Sequence, residues 1–186
     1  MNEDIMVQNL IIEGRNAVIE AFRSGKPIDK LFVLDGCQDG PIRTIVREAK
    51  KHDTILNFVT KDRLDQLSET KKHQGVIAYA AAYEYSELED IFALAESKGE
   101  APFIFLLDGI EDPHNLGAII RTANLAGAHG VIIPKRRAVG LTATVAKTSA
   151  GALNYTPVVK VTNMTKTMED LKERGVEDIL FMSSDG

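Results

Sequence analysis

The spacing of apolar residues changes along the chain and predicts two kinds of α/β structure. In the first 85 residues the apolar stretches are short and alternate with amphipathic segments. The elements predicted there are helices at 15–23, after Pro41 and after Thr60, and strands at 31–34, 55–59 and 76–83. From Phe103 onward the apolar runs at 103–107 and 131–134 are continuous, which is typical of parallel strands buried on both faces.

The second region reads as a repeated strand–helix–strand unit, so a parallel sheet is expected. A helix at 116–126 separates the two buried strands, and the strand at 179–182 is expected to be interior. Between the two regions, Ser86 and Glu89 have the spacing of a capping box and predict a helix that ends at Gly99. Its acidic outer face suggests a connector between domains.

Composition and charge narrow the choice of function. The chain carries a net charge of −5, but residues 103–168 hold seven Lys/Arg and three Asp/Glu, so a local phosphate-binding surface remains open. Cys37 is the single cysteine, which excludes a disulfide framework and fits the cytoplasm. No apolar run approaches the roughly 20 residues of a membrane span, and the acidic N-terminus does not resemble a secretory signal. The four histidines, at 52, 73, 114 and 129, lack metal-ligand spacing, so no metal is predicted.

The most informative segment follows the strand at 103–107, where open α/β sheets bind ligands. Asn115 is placed to cap the next helix, and Arg121 shares a helix face with the small residues Gly117, Asn124 and Ala128. These small neighbours are expected to leave room for a ligand beside the guanidinium. On spacing alone, however, an exposed Arg is more often a solvated charge and an Asn before a helix only a cap.

Longer motifs give this segment a more specific meaning. The stretch at 108–123, DGIEDPHNLGAIIRTA, and the downstream TATVAKTSAGA at 142–152 resemble the SpoU (TrmH) family of RNA 2′-O-ribose methyltransferases. The resemblance covers nearly the whole chain. It implies an α/β-knot (SPOUT) domain, catalytic roles for Asn115 and Arg121, S-adenosylmethionine as methyl donor, and a homodimer of the complete protein.

The N-terminal segments IEGRNAV (12–18) and HQGVIA (73–78) resemble the ribosomal-protein-like substrate-binding domain of the subgroup that methylates a guanosine of large-subunit ribosomal RNA. We therefore expect an RNA-binding domain at 1–85, a connector at 86–102 and a methyltransferase domain at 103–186. The RNA-contact candidates are Arg15, Asn16, Lys71, Lys72, His73, Gln74, Lys135, Arg136 and Arg137. The plainer reading of each basic group is a solvated surface charge.

The chain departs from the family pattern after residue 182. The family's Gly-Ser-Glu and Ile-Pro-Met motifs, which build the knot and most of the donor pocket, do not occur before Gly186. We therefore expect an incomplete second domain, cofactor residues beyond Gly186, and no methyl transfer by these 186 residues alone. The alternative function is a catalytically inactive RNA-binding module. A Rossmann nucleotide-binding domain is disfavoured because no Gly-x-Gly-x-x-Gly follows the strand at 103–107.

Overall fold

The computed structural model describes residues 10–184 and divides the chain into two compact units, 1–84 and 85–186. The first unit alternates strands and helices, much as the hydrophobic pattern predicts. Its elements are β1 (Ile11–Glu13), α1 (Arg15–Arg23), β2 (Ile28–Leu34), α2 (Gly40–Lys51), β3 (Ile55–Val59), α3 (Lys61–Leu67) and β4 (Val76–Ala80).

The sheet of the first unit has the order β1-β4-β2-β3. Strands β2 and β3 are parallel and the other pairs are antiparallel. The strand order places β3 at an edge of the sheet. Helix α2 buries Ile42, Ile45 and Ala49 in the core, at the three- and four-residue spacing of one helical face. Asp39 caps this helix, and its Oδ1 accepts a hydrogen bond from the Ile42 N–H at 3.1 Å. That backbone N–H is the main cause of the lowered pKa of Asp39.

The second unit contains the predicted parallel sheet. Its strands have the order β7-β6-β5-β8, and all three pairings are parallel, which confirms the expectation. A short 3₁₀ helix at Ala152–Asn154 precedes β7. The elements are α4 (Leu88–Lys98), β5 (Phe103–Asp108), α5 (Pro113–Leu125), β6 (Gly130–Pro134), α6 (Ala143–Thr148), β7 (Val158–Val161), α7 (Met164–Glu173) and β8 (Asp178–Ser183).

Helix α4 was expected to connect two domains, but it packs into the core of the second unit. Ile91 is fully buried in one cluster with Ile104 and Ile132 of the sheet. The helix also begins one residue later than the capping-box pattern predicts, because the Glu87 N–H donates to Asp90 Oδ2 at 2.8 Å. Its apolar stripe, more than its acidic outer face, decides where it lies.

The prediction of an interior strand at 179–182 is wrong for the described part of the chain. There β8 pairs with β5 alone and forms an edge of the sheet. Leu180, Phe181 and Met182 are exposed. The apolar character that predicted burial is therefore not matched by a covering element within residues 10–184.

Candidate active site and RNA-binding residues

Helix α5 carries the two residues predicted to be catalytic, but Asn115 does not cap it. The cap is Asp112, whose Oδ1 accepts the backbone N–H of Asn115 at 2.8 Å. Pro113 takes the first helical position, where its missing N–H costs nothing. The cap of α5 therefore lies three residues before the predicted position, Asn115. Capping therefore does not engage the Asn115 side chain.

Two of the small residues near Arg121 face protein, so they do not provide the ligand space that the sequence predicts for them. Gly117 is buried, and a Cβ there would lie 2.7 Å from Thr148 Cβ and 3.0 Å from the Val145 carbonyl oxygen of α6. Asn124 also faces protein, since its Oδ1 accepts a hydrogen bond from the Thr156 hydroxyl at 3.2 Å. Gly117 therefore permits the close approach of α5 and α6, a structural role.

A cavity of about 470 Å³ opens where β5 and β8 end. Gly109, with φ +73°, turns the chain there, and a Cβ in its place would lie 2.5 Å from Ser184 Oγ. The Val139 N–H donates to the Ile110 carbonyl at 3.0 Å, which ties the segment after β6 to this loop. The cavity is lined by Asp108, Gly109, Ile110, Glu111, Asp112, Asn115, Arg137, Ser183 and Ser184.

This cavity joins some of the predicted residues and leaves others out. Asn115 and Arg137 line it together, although they are far apart in the sequence. Arg121 is exposed on α5 and is not among the lining residues. Within residues 10–184, no hydrogen bond or ion pair holds the side chains of Asn115, Arg121 or Arg137, so all three are available to an external ligand.

The other members of the basic run differ from Arg137. Arg136 is exposed, whereas Lys135 is half-buried and has an interaction partner within the protein. Arg137 adopts a left-handed backbone conformation, with φ 56°, in the loop after β6. The basic run was a sequence signal for phosphate binding, but only the fold shows which of its members reaches the cavity.

In the first unit, Glu13 organises the turn that carries the predicted RNA contacts. Its carboxylate accepts hydrogen bonds from the Ser68 hydroxyl (2.6 Å), the Thr70 hydroxyl (2.7 Å) and N–H (3.2 Å), and the Glu69 N–H (2.6 Å). Burial raises the pKa of Glu13, but the bonds from Ser68, Thr70 and Glu69 outweigh it and lower the pKa to about 2. Sequence reasoning gave Glu13 no role, because its partners lie more than fifty residues away.

Arg15 and Gln74 are brought together, but in a structural contact. The Arg15 backbone N–H donates to Gln74 Oε1 at 3.2 Å, and Arg15 Nε donates to the Gln74 carbonyl at 3.0 Å. The Arg15 guanidinium also forms an ion pair with Asp39 at 2.7 Å. Asn16, the next residue, is exposed. The fold therefore uses much of the hydrogen-bonding capacity of Arg15 before any RNA could.

His73 requires a correction as an RNA-contact candidate. Its side chain is buried, Nδ1 accepts the Gly75 N–H at 3.0 Å, and Nε2 lies 3.1 Å from Asp65 Oδ1. Both ring nitrogens are thus committed within the domain. The neighbouring Lys71 ammonium donates to the Asp65 carbonyl, whereas Lys72 is exposed and only its backbone N–H has a hydrogen-bond partner in the described residues.

The described residues contain no cluster of three or more His, Cys, Asp or Glu side chains that could hold a metal ion. Over the same residues, 10–184, no helix has the length and apolar character needed to cross a bilayer.

Comparison with known proteins identifies the family. Residues 11–86 match the family described as RNA 2′-O ribose methyltransferase substrate binding, and residues 102–185 match the SpoU rRNA Methylase family. The chain is 49% identical over 169 residues to the YacO protein of Bacillus subtilis strain 168, which is named for the TrmH family of tRNA/rRNA methyltransferases. That match spans 91% of this chain and 68% of YacO. The chain therefore belongs to the SpoU (TrmH) family of RNA methyltransferases.

Other similar proteins carry the same family name. A TrmH family relative from Staphylococcus saprophyticus is 45% identical over 169 residues, spanning 91% of this chain and 68% of the relative. Among solved structures, the SpoU methyltransferase AviRb of Streptomyces viridochromogenes, crystallised with its cofactor AdoMet, gives a TM-score of 0.45 at 19% identity. That similarity covers 96% of this chain and 77% of AviRb.

Proposed function

We propose that this protein acts in the S-adenosylmethionine-dependent 2′-O-methylation of a ribose, that of a guanosine in large-subunit ribosomal RNA. The observation that carries the proposal is the cavity after β5 and β8, where the family motif presents Asn115 beside Arg137. Family membership supports the methyltransferase activity. The matched substrate-binding segment at 11–86 supports RNA as the substrate.

The proposed chemistry requires a positively charged side chain near the reacting oxygen, and it does not require a metal ion. A ribose hydroxyl is a very weak acid, and its oxygen gains negative charge as its proton passes to the target's own phosphate. The oxygen then forms the bond to the methyl carbon as the bond between that carbon and the donor sulfur breaks, which leaves S-adenosylhomocysteine. A guanidinium stabilises such charge or an adjacent phosphate. A guanidinium carries a positive charge and has no proton acceptor, so Arg121 acts electrostatically and not as the base. Arg137 holds a phosphate at the cavity, and the Asn115 amide orients the ribose.

The residues present fit the substrate side of such a site better than the donor side. S-adenosylmethionine supplies the methyl group, and its adenine ring needs an apolar slot. Ile110 is the single apolar side chain among the residues described around the cavity, which otherwise has carboxylates, hydroxyls and Arg137. We therefore assign residues 108–115 and Arg137 to the ribose and phosphate of the RNA. We assign no residues to donor binding. We also propose that the complete protein is a homodimer in the cytoplasm, and we assign no residues to its interface.

The test is a methyl-transfer assay on large-subunit ribosomal RNA with isotope-labelled S-adenosylmethionine. It uses the 186-residue chain and, in parallel, the chain extended by any sequence that its reading frame encodes after Gly186. We expect no label with the 186-residue chain. With the extended chain we expect a labelled guanosine whose 3′ phosphodiester bond resists alkaline hydrolysis, because that bond is cleaved through a free 2′-hydroxyl. Asn115→Ala should lower the rate, and Arg23→Ala, at an exposed site on α1, should not.

Three results would contradict the proposal. Label in a base would exclude ribose methylation, and label in transfer RNA alone would exclude the ribosomal substrate. RNA binding in a gel-shift assay, with no methyl transfer by either form of the chain, would favour the binding-module alternative.

A further inference from the structure

An exposed aromatic side chain marks a surface of the first unit that the proposed active site does not use. Phe58 is 56% exposed, whereas the other large apolar side chains described as exposed all belong to the second unit. Phe58 lies on edge strand β3, two residues after Leu56, so both point to the same face of the sheet. Leu56 packs against the core under α2, but Phe58 is left open beside that helix.

The groove around Phe58 combines an apolar floor with a cationic rim. It has a volume of about 430 Å³, and Ile42 and Val46 of α2 contribute the apolar lining beside Phe58. Its cations follow the helical spacing of one face and are Arg43, Arg47 and Lys50.

These cations are largely free of internal partners. Helix α2 holds four Lys/Arg and one acid, Glu48. The Glu48 carboxylate lies 3.8 Å from Lys51 Nζ, 3.8 Å from His52 Nε2 and 4.0 Å from Arg47 Nε. In the part of the chain that the structure describes, neither Arg43 nor Lys50 forms an ion pair. The groove therefore carries uncompensated positive charge around an aromatic ring.

We propose that this groove binds a single-stranded segment of the substrate RNA, with one base stacked on Phe58 and the flanking phosphates held by Arg43, Arg47 and Lys50. The proposal rests on the proposed function, which makes RNA the substrate. An aromatic platform bordered by cations suits a chain of stacked bases linked by phosphates. An acidic protein segment would match the charge, but it offers no ring to stack on Phe58.

The first experiment compares two substitutions at one position in binding to single-stranded RNA. Phe58→Leu keeps an apolar side chain but removes the ring, and we expect a loss of affinity on the order of tenfold. Phe58→Tyr keeps the ring and should stay within about twofold. Because Phe58 is exposed, circular dichroism and thermal unfolding should be unchanged in both variants, which separates binding from folding.

The second experiment reads the stacking and the charge directly. The chain contains no tryptophan, so Phe58→Trp places a unique reporter in the groove. Single-stranded RNA should quench its fluorescence, whereas an RNA duplex and polyglutamate should not. The double variant Arg43→Ala/Arg47→Ala should reduce the slope of log affinity against log salt by about 1.4, since each lost phosphate contact removes about 0.7. Arg23→Ala should leave the slope unchanged.

The outcomes separate this inference from the proposed function. If the wild-type chain binds RNA and Phe58→Leu binds equally well, the groove proposal is wrong and the proposed function stands. Equal quenching by polyglutamate would assign the groove to an acidic protein partner instead. If the wild-type chain binds no RNA at all, the proposed substrate fails and the groove proposal fails with it.

Discussion

Two segments that carry family motifs use their polar groups in opposite ways. In the turn at 68–75, the Glu13 carboxylate accepts hydrogen bonds from residues 68–70, His73 is buried with both ring nitrogens engaged, and Gln74 holds Arg15. In the segment 108–115, which runs from the end of β5 into the first turn of α5, the Asn115 side chain lines an open cavity with Arg137, and neither side chain has a partner among the described residues. A motif can therefore be conspicuous in sequence because it builds a turn or because it serves a ligand.

The difference gives a physical criterion for the candidate residues. A buried donor or acceptor must be satisfied within the protein, so groups such as Glu13 and His73 are committed to folding. A polar side chain that stays open at the end of a parallel strand gains little stability there, and its contacts are left for a ligand. By this criterion Asn115 and Arg137 are functional candidates, and Glu13 and His73 are structural. Arg121 is exposed on α5 outside the cavity, and it is a candidate because of its place in the family motif.

The largest expected effect is on the rate of methyl transfer when Arg121 is replaced. Arg121→Ala should lower the rate of methyl transfer by at least about 100-fold, as loss of a charge-stabilising donor does elsewhere, with little change in thermal unfolding. Arg121→Lys tests whether the planar guanidinium is needed. Near-full activity of the Lys variant would show that a point charge suffices, and full activity of the Ala variant would remove Arg121 from the site.

The face of α5 that packs against α6 should affect the free energy of unfolding more than the rate of methyl transfer. Gly117→Ala places a Cβ 2.7 Å from Thr148 Cβ, so α6 must shift, and we expect a loss of about 2 kcal/mol in the free energy of unfolding. Gly40→Ala at the start of α2 is the matched control, because nothing lies within 4 Å of a Cβ there. Denaturant titration measures both. Equal stability of the two variants would mean that Gly117 does not set the α5–α6 distance.

The hydrogen bonds of the Glu13 carboxylate to the turn at 68–75 should make the stability of the fold depend on pH. The folded-state pKa of Glu13, about 2, lies below its ordinary value of 4.5, so its contribution is present above pH 4.5 and is lost as the pH falls toward 2. Glu13→Gln should cost about 2 kcal/mol at neutral pH and nearly nothing at pH 2. Exposed Glu20→Gln is the control. A cost that stays constant with pH would show that the charge of Glu13 is not what holds the turn.

The smallest effect is expected on RNA binding when Lys72, the exposed lysine of the turn at 68–75, is replaced. Lys72→Ala should weaken RNA binding only about twofold to fivefold and lower the salt slope by about 0.7, the signature of one lost phosphate contact. Lys98→Ala, in the last turn of α4, should change neither quantity. An unchanged slope for Lys72→Ala would leave this lysine as a solvated surface charge.

Sequence reasoning succeeded where the signal was local. The pattern of apolar positions placed β3 at 55–59 and α1 at 15–23 as the structure has them. It failed by one to three residues at helix starts, since Asp112 and Glu87 compete with Asn115 and Ser86 for the cap. Each of these bonds spans three residues, and more than one polar side chain lies within that reach, so the sequence alone does not choose between them.

The sequence by itself determined the order of elements, the parallel sheet of the second unit and the family, because hydrophobic period and contiguous motifs are read along the chain. Tertiary structure alone decided which polar groups are hydrogen-bonded within the protein and which remain accessible to a ligand. Glu13 meets Ser68 across 55 residues, Arg137 reaches the cavity of Asn115, and Gly117 is closed by Thr148. These pairings depend on how strands and helices pack in space, and that packing determines whether a side chain stabilises the fold or stays free for RNA.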